Sequence, residues 1–96
     1  QRQRGLMNVA FLEKDRGMLF YFDSSSIHQF WMKNTLIPLD FIWIDDQYKI
    51  VGFTHMATPF DESIYSIAMP SKYVLEINGG LISELGLQNG SIVSFH

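Results

Sequence analysis

The chain has 96 residues, 47% hydrophobic and 18% charged, with eight Phe, four Tyr and two Trp, enough apolar surface for one domain around one core. Cysteine is absent, which excludes a disulfide framework, a thiolate metal site and a cysteine nucleophile. The net charge of −3, with only Arg2, Arg4, Lys14 and Arg16 clustered among the basic residues, argues against nucleic-acid binding.

Residues 1–16 are the most charged part and end in Glu13-Lys14-Asp15-Arg16-Gly17, an expected exposed turn. Residues 18–22, MLFYF, are short, apolar and aromatic, as a buried strand requires, and Ser24-Ser25-Ser26 closes them. A second strand is predicted over 27–32. Lys33-Asn34-Thr35 breaks it, and Pro38 cannot donate to a ladder. A third strand follows at 39–44, joined through Asp45-Asp46-Gln47 to a fourth at 48–55, the strongest hairpin in the chain. Residues 57–71 hold two prolines and mixed polarity, which predicts a long surface loop, and 72–78 a fifth strand. Gly79-Gly80 opens a short helix at 81–85 that Gly86 can end in a left-handed conformation. Gln88-Asn89-Gly90 turns into a last strand at 91–95. The expected class is mainly β, a β-sandwich or partly closed antiparallel barrel with one short helix. The longest nearly uncharged run, residues 30–44, is interrupted by Lys33, Pro38 and Asp40, whereas a membrane-spanning helix needs about 20 apolar residues. The chain begins at Gln1 rather than Met, so a signal peptide or anchor upstream would not be visible.

Alternation along the strands makes two acids conspicuous. Asp40 shares a face with Ile42 and Ile44, and Glu76 shares one with Val74 and Asn78. A buried acid must be paired, hydrogen-bonded or protonated. One reading is a polar pocket with Lys33 as cation, Asp40 and Glu76 as acid or base, and Asn34 as orienter. The other is a structural ion pair that holds a turn to the sheet, whose disruption would cost about 3–5 kcal/mol without any catalysis. His28, His55 and His96 lack metal-ligand spacing, so no metal site is expected. His55 stands before the long loop, where it either lines a cleft or sits on a rim. Trp31 and Trp43 are either core residues or platforms for a flat ligand. No Gly-x-Ser-x-Gly elbow or complete phosphate loop occurs, and no cofactor is implied.

The segments Arg2-x-x-Gly5-Leu6-Met7, Gly17-Met18-Leu19-Phe20, FWMKNTLIPLD at 30–40 and YVLEINGG at 73–80 occur in that order. Together they resemble the bacterial and archaeal family called domain of unknown function 192, over nearly the whole chain. The resemblance implies a β-sandwich-like fold and, because many members follow a signal peptide, a periplasmic or secreted setting, with the cytoplasm left open. It carries no activity, so Arg2, Gly5, Met7, Trp31, Lys33, Asn34, Asp40 and Glu76 transfer as motif positions only. Family members usually have a strand before the Arg-x-x-Gly-Leu-Met segment and Gly-Asp where this chain has Gly90-Ser91.

Three functions follow from these residues. The first is an exported accessory domain binding a small ligand or a protein through the polar cluster around Lys33, Asn34 and Asp40. The second is a hydrolase or lyase with Asp40 and Glu76 as an acid–base pair facing one cavity. The third makes the motif purely structural.

Overall fold

The computed structural model describes residues 17–93. Four strands, β1 (Gly17–Ser26), β2 (Leu39–Ile44), β3 (Ile50–Ala57) and β4 (Ser71–Asn78), precede one helix, α1 (Leu81–Leu85). They form a single antiparallel sheet in the order β1-β4-β2-β3, so β4 inserts between strands that precede it in the chain. The class is mainly β with one short helix, as expected, but the sheet is not closed into a barrel.

The centre of this sheet is covered on both faces. All six residues of β2 are buried, which suits its uninterrupted apolar run apart from Asp40. Leu39, Phe41 and Trp43 point to one face, where they meet Phe30, Met32 and Val74. Ile42 and Ile44 point to the other, beside Ile77 of β4, and Ile82 of α1 closes over them. Two loops, residues 27–38 and 58–70, lie on the first face. The helix and residues 87–93 lie on the second.

The expected strand at 27–32 is the main departure. Its only ladder contact among the described residues is Phe30 with Tyr65, whose N–H groups donate to each other's carbonyls at 2.9 and 2.7 Å. Phe30 and Met32 are core residues, but this segment lies over a sheet face instead of joining an edge. Apolar alternation reports burial, and a covering loop buries the same residues as a strand. The expected strand at 91–95 is likewise reduced, within the described residues, to a bridge between Ile92 and Lys49. It caps the start of β3, where Ile50 N–H donates to the Ser91 carbonyl. At the other end of the chain β1 runs on through the three serines, with its register shifting between Tyr21 and Ser26.

Local chemistry accounts for the hairpin and the helix. The Asp45 carboxylate accepts from the N–H groups of Gln47 and Lys49, both at 2.9 Å. Tyr48 is left-handed (φ 64°), which delays β3 to Ile50. Gly86, at φ 67°, ends α1 by donating to the Ile82 carbonyl.

Candidate functional site

The two conspicuous acids do not meet. Asp40 pairs across the ladder with Ile77, and Phe41 pairs with Glu76. Directly opposed residues share a face and neighbours along a strand alternate, so Asp40 and Glu76 point to opposite sides of the sheet. The expected acid–base pair at one cavity is therefore overturned by the register of β2 against β4.

Asp40 is fully buried, and its carboxylate is occupied by backbone. Oδ1 accepts from Met56 N–H at 2.8 Å and Gly80 N–H at 3.0 Å, and Oδ2 accepts from Ile82 N–H at 2.9 Å. Gly80, the N-cap of α1, has no side chain to satisfy the first helical N–H groups, and Asp40 performs that task from a neighbouring strand. The same carboxylate fixes the end of β3. Around it the backbones are close: Gly79 N–H donates to the Pro38 carbonyl at 3.0 Å, and a Cβ at Gly79 would lie 2.7 Å from Met56 Sδ. A side chain at 79 would have to displace the Met56 thioether and press on Pro38.

Glu76 is 5% exposed and has no hydrogen bond or ion pair to another described residue. It stands in the ladder between Met18 of β1 and Phe41 of β2, on the face of the aromatic core. Burial pushes its carboxyl up to about 8, so the neutral acid is the form held at neutral pH.

Lys33, Asn34 and Trp31 form a different locus. Thr35 N–H donates to the Met32 carbonyl at 3.0 Å, closing a turn in which Asn34 is left-handed (φ 62°), a conformation that asparagine tolerates. Both Lys33 and Asn34 are exposed. The Lys33 ammonium lies over the half-buried Trp31 indole, 5.2 Å from the ring centroid, so it does not pair with Asp40. Lys33 and Asn34 therefore share a surface turn, with Asp40 in the packing behind it. His55 is exposed on β3 with its ring 5.9 Å from Phe53, apart from that turn. Arg2 lies outside the described residues.

Several residues that sequence reasoning passed over belong to the same end of the sheet. Met56 (φ 53°) and Phe60 (φ 64°) are bulky side chains in left-handed backbone, and both are exposed. Such conformations cost of order 1–3 kcal/mol each and persist only where surroundings impose them. Here the Asp40–Met56 bond imposes one, and Phe60 N–H donating to the Thr35 carbonyl at 3.1 Å imposes the other. The loop carrying Phe60 is anchored again at Asp61, whose carboxylate accepts from Ser63 N–H at 2.8 Å and the Tyr65 hydroxyl at 2.7 Å. The Ser63 and Tyr65 hydrogen bonds hold the Asp61 carboxyl below its ordinary value. Asp61-x-Ser63 is a turn signature visible in the sequence, but a left-handed Met or Phe leaves no signature. Among the described residues no group of three His, Asp or Glu converges as metal ligands would.

With this geometry in place, similarity decides the family. The family model for domain of unknown function 192, described as an uncharacterized ACR, matches residues 1–95. The chain belongs to that family. A curated relative, a UPF0127 protein of Thermococcus gammatolerans, is 31% identical over 100 residues, covering 99% of this chain and 60% of that protein. The chain thus spans only about three-fifths of that relative's length. A protein of unknown function from Novosphingobium aromaticivorans has the same fold, with a TM-score of 0.92 at 36% identity, covering 98% of this chain and 71% of the other. A candidate transcription regulator from Sinorhizobium meliloti aligns with a TM-score of 0.89 at 37% identity, covering 93% and 69% of the two chains. Family membership therefore supports the fold and leaves the biochemical role unassigned.

Proposed function

We propose that this domain is a binding module that takes a small ligand with a flat apolar body and an acidic group. Its contact surface is the end of the sheet where residues 31–38 meet residues 56–62. The observation that carries this reading is the pairing of an exposed cation with exposed apolar side chains on strained, well-anchored backbone. Lys33 supplies the charge over Trp31, while Leu36, Met56 and Phe60 are 38%, 52% and 59% exposed. Rigid apolar surface with one or two placed polar groups is what a small-ligand site needs. Asp40 belongs to this site as a positioning residue, since it is fully buried and its carboxylate is engaged by three backbone N–H groups.

The name of the Sinorhizobium relative raises a role in transcription, but a duplex-binding face finds little support here. The cations of residues 17–93 are Lys33 in the loop before β2, Lys49 in the hairpin and Lys72 on β4, and the net charge of the whole chain is −3. A periplasmic or secreted setting remains part of the proposal and rests on the family resemblance alone.

The test is a two-dimensional NMR titration with a panel of aromatic carboxylates and their neutral amide counterparts. The expected result is saturable shifts at the Trp31 indole, Lys33 and Phe60, stronger for the carboxylates, and lost in Lys33→Ala. Shifts centred elsewhere, or no difference between acids and amides, would overturn the reading. Binding of extended peptides alone at this surface would replace the small ligand by a protein partner.

A further inference from the structure

Glu76 has no part in the proposed contact surface. It is buried on β4, with no hydrogen-bond or ion-pair partner among the described residues, between one strong neighbour and one weak one. The strong neighbour is β2, buried along its whole length, paired on both sides and tied to α1 and β3 through Asp40. The weak neighbour is β1, which among the described strands pairs only with β4. Its residues alternate between exposed and half-buried, none is fully buried, and its register breaks after Tyr21. Gly17 closes on β4 so tightly that a Cβ there would lie 2.9 Å from the Glu76 carbonyl oxygen.

We propose that Glu76 is a proton-controlled latch on β1: the neutral carboxyl lets the edge strand close on β4, and the ionised carboxylate releases it. A carboxylate confined among Met18, Phe41 and Val74 would be an unpaired buried charge, and the lowest-cost route to water is displacement of the strand with the fewest restraints. The raised value of this carboxyl agrees with that placement. Release would expose the inner edge of β4 and the half-buried Met18, Phe20 and Phe22, while β2 and β3 stay paired.

Among the described residues no neighbouring charge replaces this control. The residues of β1 and β2 on the Glu76 face, Met18, Phe20, Leu39, Phe41 and Trp43, do not titrate. On β4 itself Lys72 shares the face, about 13 Å away at 3.3 Å per residue. On the covering loops His28 stacks on Phe22 and Lys33 lies over Trp31. Asp61 and Tyr65 are bonded to each other, Tyr65 also packing edge-on against Phe41, and Glu62 is exposed.

The experiment is amide hydrogen exchange by NMR from pH 5 to pH 9, corrected for intrinsic rates, together with a direct titration of the Glu76 carboxyl carbon. Because the open form carries an ordinary carboxyl and the closed form a raised one, opening should increase by up to about tenfold per pH unit until Glu76 titrates. Protection of the β1 amides is expected to fall over that range and level off above it, while the β2–β3 ladder stays better protected than β1 at every pH. In Glu76→Gln, which keeps the shape without the charge, β1 protection should no longer depend on pH. A carboxyl titrating near 4 would overturn the latch, as would β1 amides as well protected as those of β3 at every pH or the same loss in Glu76→Gln.

Discussion

Asp40 and Glu76 are both acids on central strands, both almost wholly buried, and they solve the problem of burial in opposite ways. Asp40 is met by N–H groups from the end of β3 and from the start of α1, so its charge organises three segments at once. Glu76 is met by methionine and phenylalanine and stays neutral. Burial alone therefore does not say what an acid does. The supply of donors decides whether it is a structural anion or a proton store.

Removing the donors' partner should break the first case most severely. Asp40→Ala would remove the acceptor of the part-buried Met56 and Gly80 N–H groups and of the buried Ile82 N–H, and a loss of about 3–5 kcal/mol is expected in urea unfolding. Asp40→Asn keeps one acceptor oxygen and should cost clearly less, which separates the hydrogen bonds from the volume of the side chain.

The second case predicts a pH dependence of defined sign. Between about 4.5 and about 8 the folded protein keeps the Glu76 proton while the unfolded chain has lost it. The unfolded state then binds fewer protons, so stability falls as pH rises, by up to about 1.4 kcal/mol per pH unit, and is flat above that window. Denaturant titrations at pH 5, 6.5 and 8 read this slope, and Glu76→Gln should remove it while Asp40→Asn leaves it in place.

A smaller effect probes the packing behind Asp40. Gly79→Ala forces a Cβ against Met56 Sδ and Pro38, and a cost of about 1–3 kcal/mol is expected, because backbone and a half-fixed thioether must shift. The companion Gly86→Ala meets no atom but keeps a left-handed φ, so its cost should be nearer 1 kcal/mol. The smallest effect belongs to the exposed turn: Lys33→Ala removes a surface cation–π contact worth no more than about 1 kcal/mol. If it instead destabilised the fold as strongly as Asp40→Ala, the motif would be structural throughout and its surface role would be lost.

Much of this was legible before any tertiary structure. Gly80 and Gly86 bracket the helix through local backbone requirements, and the predicted bounds match α1. Asp45 and the run at 39–44 marked the central hairpin for the same reason. The alternation that placed Asp40 with Ile42 and Ile44, and Glu76 with Val74, is correct within each strand. By contrast 27–32 reads as a strand, because a loop that buries Phe30 and Met32 over a sheet has the same apolar signature.

What the sequence determined by itself was therefore local: which residues turn, which cap, and which neighbours along a strand share a side. Phasing one strand against another lay beyond it, since the pairing of Asp40 with Ile77, 37 residues apart, depends on β4 entering between β1 and β2. Shifting that register by one residue would have put both acids on one face. Only the tertiary structure sent them to opposite faces, where one found donors and the other did not.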